Sequence, residues 1–225
     1  MKLFFSFIVT VLTFFSLEAQ QLSLGGNSWV ANFKKASDEV NNQEEKLKYS
    51  EIKGTPYYNP DFESAKFDDT PTVAPIRYNT FLDVVEILID NNIYEIPREA
   101  TPKKFTFTKT NERLIVLDTH DEYAGYFFEI ADGKYKILKK IKTKFYGAVP
   151  SKTHFAAGTV SRFESQRPLY FIKAESSDVI TLKNTKDLLT YFPEKKDELN
   201  NFLKTNKIKL TEESDLVKLA QFINN

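Results

Sequence analysis

Tyr126-Phe127-Phe128-Glu129-Ile130, the pair Asp132-Gly133, and then the run from Lys134 to Phe145 make up the stretch that decides the fold. Asp-Gly between two runs rich in aromatic and β-branched residues favours a tight hairpin turn, because that turn needs positive φ. Working outward, more short runs of the same kind appear on both sides. Upstream lie Ile76-Arg77-Tyr78-Asn79, Val84 to Ile89, Asn92 to Ile96, Lys104 to Thr108 and Arg113 to Leu117. Downstream lie Val160 to Glu164, Leu169 to Lys173 and Val179 to Leu182. Asp, Asn, Pro or Gly bounds the runs, and they recur at about ten-residue spacing without helical crossovers, which predicts antiparallel neighbours in a curled meander.

After residue 183 the apolar period changes. Leu188, Leu189 and Phe192, then Leu199, Phe202 and Leu203, then Leu216, Leu219, Ala220 and Ile223 recur at helical steps. Asn184 or Thr185 is placed to cap the first helix and Pro193 to end it. Thr211 is placed to cap the last, with Glu212 and Glu213 in its first turn. The expected class is α+β, mainly β: an open barrel or roll of antiparallel strands followed by two or three short C-terminal helices. Their apolar stripes need a surface, and an open end of the sheet supplies one.

Composition narrows the function classes. The chain has 225 residues, with Lys+Arg 31 against Asp+Glu 31, so its formal charge is zero. That balance removes the usual electrostatic case for nucleic-acid binding. Absence of Cys excludes disulfides, thiolate catalysis, Cys-based zinc sites and an acylated-Cys anchor. The length suits one large domain or two small ones with a real core.

The first residues read as an export signal. Lys2 is a short positive region, Leu3 to Phe15 is an apolar run, and Ala19 is a small residue at the expected cut. The run is too short for the ~20 residues a spanning helix needs, and it leads straight into Gln20-Gln21. The expectation is therefore a signal peptide over 1–19 and an exported chain with no transmembrane segment, in the periplasm, at the cell surface or outside the cell. A charged extension or short helix covers 20–53, the β domain 54–183 and the helical segment 184–225.

Two clusters are candidates for chemistry or contact. Asp118-Thr119-His120-Asp121-Glu122 is the only dense polar run containing His, and it would suit acid/base work. Consecutive residues in a turn point their side chains apart, however, so a polar turn between strands explains the run as well. On alternation Lys134, Lys136, Lys140, Lys142 and Lys144 share one strand face. That face suits an anionic partner, or is a solvated surface neutralised by nearby acids. Asp61, Glu63, Asp68 and Asp69 fit no calcium-loop spacing. No nucleophile elbow and no Gly-rich phosphate loop occurs. Tyr57, Tyr58, Phe62, Phe67 and Tyr78 could form a stacking platform, with core packing the simpler reading.

Glu51-Ile52-Lys53-Gly54-Thr55-Pro56-Tyr57, Arg77-Tyr78-Asn79, Val84-Val85-Glu86-Ile87, Gly125 to Ile130, Leu188 to Phe192 and Leu199 to Leu203 follow in order. From Ser50 onward the chain thereby resembles a family of secreted proteins of Bacteroidetes-type bacteria. The resemblance implies an exported chain with a β-meander body and a helical tail, and it brings no activity and no catalytic residue. The functional expectation is a non-enzymatic envelope or secreted protein that binds or supports another envelope protein or a lipid, without cofactor or metal. The alternative is a carboxylate-dependent hydrolase or carbohydrate-active enzyme using buried acids, with Asp118, His120 and Asp121 as its candidates.

Overall fold

The computed structural model describes residues 52–68, 70, 72–98, 101–149, 158–174 and 179–225. The expected signal peptide, most of the charged extension, Asp69 and His154 lie outside the described residues.

Among the described residues, twelve strands and three helices follow in order. The strands are β1 (Glu63–Phe67), β2 (Val73–Asn79), β3 (Val84–Ile89), β4 (Asn92–Ile96), β5 (Lys104–Phe107) and β6 (Arg113–Leu117). Then come β7 (Gly125–Ala131), β8 (Tyr135–Lys140), β9 (Thr143–Tyr146), β10 (Arg162–Ser165), β11 (Leu169–Ala174) and β12 (Ile180–Thr181). The helices are α1 (Thr185–Tyr191), α2 (Lys196–Thr205) and α3 (Glu213–Asn224). The protein is therefore mainly antiparallel β with a helical C-terminal part.

Ten strands make one unclosed sheet in the order β12-β11-β8-β7-β6-β5-β1-β2-β3-β4, and β9 and β10 form a separate ribbon. Two meanders, β1–β4 and β5–β8, are joined by antiparallel pairing of β1 with β5. β1 is not among the strands expected from the sequence. Its Glu-Ser-Ala-Lys-Phe has no β-branched residue, and pairing on both sides stabilises it in place of propensity.

The inner face of the sheet is filled in two ways. Over β1 to β7 the sheet curls on itself, burying Ala65, Ile76, Val85, Phe105, Leu114 and Tyr126 against one another. Over β8 and β11 the same face is covered by the helices: Ile137, Tyr170 and Ile172 pack with Leu188, Leu199, Leu216 and Leu219. Burying one such side chain stabilises by about 1.5–3 kcal/mol. This explains why the helical stripes are apolar although the helices are short. The outer face carries a smaller cluster of Ile115, Phe127, Leu138 and Phe171. Phe127 and Phe171 meet edge to face at 5.4 Å.

Two details differ from expectation. The run from Lys134 to Phe145 is not one strand: β8 ends at Lys140, and β9 turns away to pair with β10. Ile141, on the same face as Ile137, still enters the curled core. The last helix is capped at Glu212 without a side-chain hydrogen bond, one residue after Thr211. For α1, Asn184 does cap, its side-chain oxygen accepting from the Asp187 N–H at 3.0 Å. The β7–β8 turn contains Gly133 at φ +147, and Asn224 at the end of α3 grips the hairpin just past it. Asn224 Oδ1 accepts from the Tyr135 N–H at 2.8 Å, and its Nδ2 donates to the Tyr135 carbonyl at 3.0 Å.

Candidate anion-binding cleft at the pinched end of the roll

The His-containing cluster forms a solvent-facing turn. His120 sits at φ +55 with its side chain 84% exposed and 3.3 Å from Asp118, and it lines none of the clefts described below. Asp121 accepts from the Thr119 hydroxyl and from the Tyr123 N–H, so its carboxylate secures the turn. The Thr119 hydrogen bond is the main reason its carboxyl lies below the ordinary Asp value. Asp118, His120 and Asp121 thus do not converge on a common point.

The structure separates the lysines expected on one face. Lys136 and Lys140 do lie on the outer face, but each is paired. Lys136 contacts Glu129 at 2.8 Å and Asp132 at 2.6 Å. Arg113 completes that group from the other side of Glu129 at 3.0 Å. Lys134 and Lys144 are exposed, the latter on the separate ribbon. Lys142 follows the end of β8, donates to the Glu122 carbonyl at 3.3 Å and lies over the Tyr123 ring. The aromatic stretch near the start of the β region also divides. Phe67 and Tyr78 enter the core, while Tyr57 and Phe62 flank the Arg77 guanidinium.

Lys140 is where the geometry becomes informative. Its side chain is 2% exposed, yet Nζ is an ammonium with three protons to satisfy. It donates to Asp83 Oδ2 at 3.1 Å and to the Tyr126 carbonyl at 3.0 Å, and it lies 4.6 Å from the centre of the Phe127 ring. Asp83 stands in the β2–β3 turn at φ +57, a backbone state that Asp tolerates better than most residues. Its carboxylate also accepts from the Tyr78 hydroxyl at 2.6 Å and from Arg98 Nη2 at 3.1 Å. Four chain segments distant in sequence are thereby tied at one end of the roll. Burial is the main cause pushing the Tyr78 hydroxyl well above its ordinary pKa, with the Asp83 carboxylate adding to it. Burial pulls the Lys140 ammonium below its ordinary value, and Asp83 opposes that shift.

Beside this knot is an open cleft of about 300 Å³. Thr80, Lys140 and Thr143 form its buried floor, Phe81 and Ala124 its sides, and Arg98, Glu122 and Lys142 its rim. The Thr80 hydroxyl donates to the Pro56 carbonyl at 2.9 Å. Since that proton is committed, Thr143 donates to Thr80 at 2.7 Å. The hydroxyls therefore fix the floor, and the donors still open to a ligand belong to the cations. Lys140 comes from the expected lysine run. Arg98, Asp83, Thr80 and Thr143 had no sequence signal, because each lies in a turn or at a strand end whose neighbours are set by the curl.

Two other clefts sit over the joints between helices and sheet. One is lined by Tyr135, Tyr191, Phe192 and Asn224. The other contains the Lys139–Glu213 pair at 2.9 Å. In both, the polar side chains named here bind sheet to helix. Among the described residues no three His, Asp or Glu side chains are grouped as a metal ion would require, and no helix is long and apolar enough to cross a membrane. Comparison with protein-family models, curated proteins and solved structures gives no match to this chain.

Proposed function

We propose that this protein is an exported, non-enzymatic binding module that contacts another component of the cell envelope through the cleft at the pinched end of its roll. The observation that carries the reading is the Arg98–Lys140–Lys142 trio around a rigid floor, next to the Asp83 knot. A binding surface benefits from cations fixed before the partner arrives, because less side-chain order is lost on association. The export half of the reading rests on Lys2, the Leu3–Phe15 run and Ala19. A protein partner is favoured over an enclosed lipid, since the inner face is filled by its own Phe105, Tyr126 and neighbouring side chains.

Site-directed photo-cross-linking in intact cells tests this. Leu82 is 48% exposed beside the cleft, and Val217 is 37% exposed on α3, away from it. A photo-reactive residue at Leu82 should give a discrete adduct with one envelope component, and the same residue at Val217 should not. Adducts from Val217 alone, or from neither site, overturn the reading, as does finding the protein retained in the cytoplasm with residues 1–19 still attached.

A further inference from the structure

We propose that the cleft is a receptor for a single carboxylate group, held jointly by Arg98, Lys140 and Lys142. The proposal rests on the contact reading only for the identity of the carrier, an acidic side chain or a chain terminus of the partner. Three observations carry it. First, the Lys140 ammonium makes two hydrogen bonds to oxygen, and its third proton has no oxygen acceptor among the described residues. A buried donor left without a full partner is costly, so an incoming oxygen gains more there than at a solvated lysine. Second, Arg98 commits only Nη2, to the Asp83 carboxylate and the Asp83 carbonyl. Nη1 and Nε have no acceptor among the described residues, and a planar guanidinium suits a planar carboxylate. Third, Lys142 is held at the rim by one long contact to a carbonyl and by the Tyr123 ring.

Charge selects the class of anion. Arg98, Lys140 and Lys142 face Asp83 and Glu122, which leaves one positive charge in excess. The Asp83 carboxylate is committed to the knot, and the Glu122 carboxylate stands beside the Tyr123 hydroxyl, raising its pKa. One negative charge balances the cleft, whereas a doubly charged phosphate would bring an excess against Glu122. The committed threonine hydroxyls leave only the cations as donors, which suits a group with two oxygens better than one with four.

The test is titration of the purified protein with acetate and, separately, inorganic phosphate at constant ionic strength, following the amide resonances of Ala124, Lys142 and Thr143. Acetate should produce saturable shifts. Arg98→Gln and Lys142→Gln should each raise its dissociation constant about tenfold, as loss of a charge-assisted hydrogen bond predicts. Lys134→Gln and Lys144→Gln, at exposed positions that do not line the cleft, should leave it unchanged. Lys142 makes no contact with Asp83, so its variant keeps the test valid if Arg98→Gln loosens the fold. Non-saturating shifts, equal affinity in all four variants, or tighter binding of phosphate than of acetate each overturn the proposal. Saturable acetate binding without a cross-link at Leu82 sinks the contact reading alone. A cross-link without acetate saturation sinks the carboxylate receptor alone. A short peptide with a free terminus and an amidated one carrying a single Glu then separate the two carriers, and binding of neither overturns the assignment.

Discussion

Asp83 and Gly125 approach so closely that a β-carbon on Gly125 would overlap the Asp83 carboxylate. The glycine begins β7 at φ +134, a conformation that side chains rarely adopt, so two constraints coincide there. The knot that pinches the roll therefore depends on the absence of a side chain as much as on the charges around it.

Gly125→Ala should destabilise the protein by about 3 kcal/mol or more, from backbone strain plus displacement of Asp83. Gly147→Ala is the matched control, because its added methyl meets nothing within 4 Å. It should stay within about 0.5 kcal/mol of the parent. Urea unfolding followed by fluorescence measures both.

Asp83→Asn should cost about 3–5 kcal/mol, because it leaves the Lys140 ammonium, 2% exposed, without its carboxylate. Lys140→Met should cost less, because Asp83 is 20% exposed and keeps Arg98 as a partner. The double variant should cost clearly less than the two single losses added together. Simple additivity in that cycle would mean the pair is not coupled.

Lys136→Ala should cost about 1–2 kcal/mol, since it uncovers Glu129, whose side chain is 3% exposed. Lys144→Ala on the ribbon should change stability by less than about 0.5 kcal/mol. Thermal unfolding of the two variants side by side distinguishes a paired lysine from a solvated one.

Alkaline pH should unfold the protein ahead of what its charge balance suggests. Burial pushes the Tyr126 hydroxyl up to about 12, and burial with the nearby Glu213 takes Tyr170 to about 12 as well. The unfolded chain releases those protons near the ordinary tyrosine value of ~10. Between the two values the unfolded state binds fewer protons, so stability falls as pH rises, by at most about 1.4 kcal/mol per pH unit for Tyr126. Lys140 acts in the opposite direction. Its folded pKa is depressed, so it adds stability as pH rises, up to the ordinary lysine value of ~10.4. Urea midpoints measured from pH 9 to pH 12 should fall steeply above about pH 10, and Tyr126→Phe and Tyr170→Phe should each flatten that fall.

Local chemistry carried most of the architecture. Val84–Ile89, Asn92–Ile96 and Arg113–Leu117 are strands within the limits that alternation and β-branching set for them. Leu216, Leu219 and Ile223 face the sheet as their spacing requires. These features were legible because a strand or helix writes its buried face into nearby residues. The turn at Asp118–Glu122 was legible for the same reason, since its hydrogen bonds join residues two apart.

The candidate site was legible only in part, since the lysine run supplied Lys140 and Lys142 while Arg98, Asp83, Thr80 and Thr143 carried no signal, and β1 was not legible. β1 is a strand because β2 and β5 flank it, and β5 lies some forty residues downstream. The five lysines had one alternation pattern but different surroundings. Lys140 is buried because the curl brings Asp83 to it across 57 positions, while Lys144 leaves on another ribbon. Sequence alone thus determined most of the strand segments and the apolar stripes of the helices, because both are written into nearby residues. Tertiary structure alone decided which charges meet, because a curled sheet brings its turns and strand ends together at a distance no local pattern records.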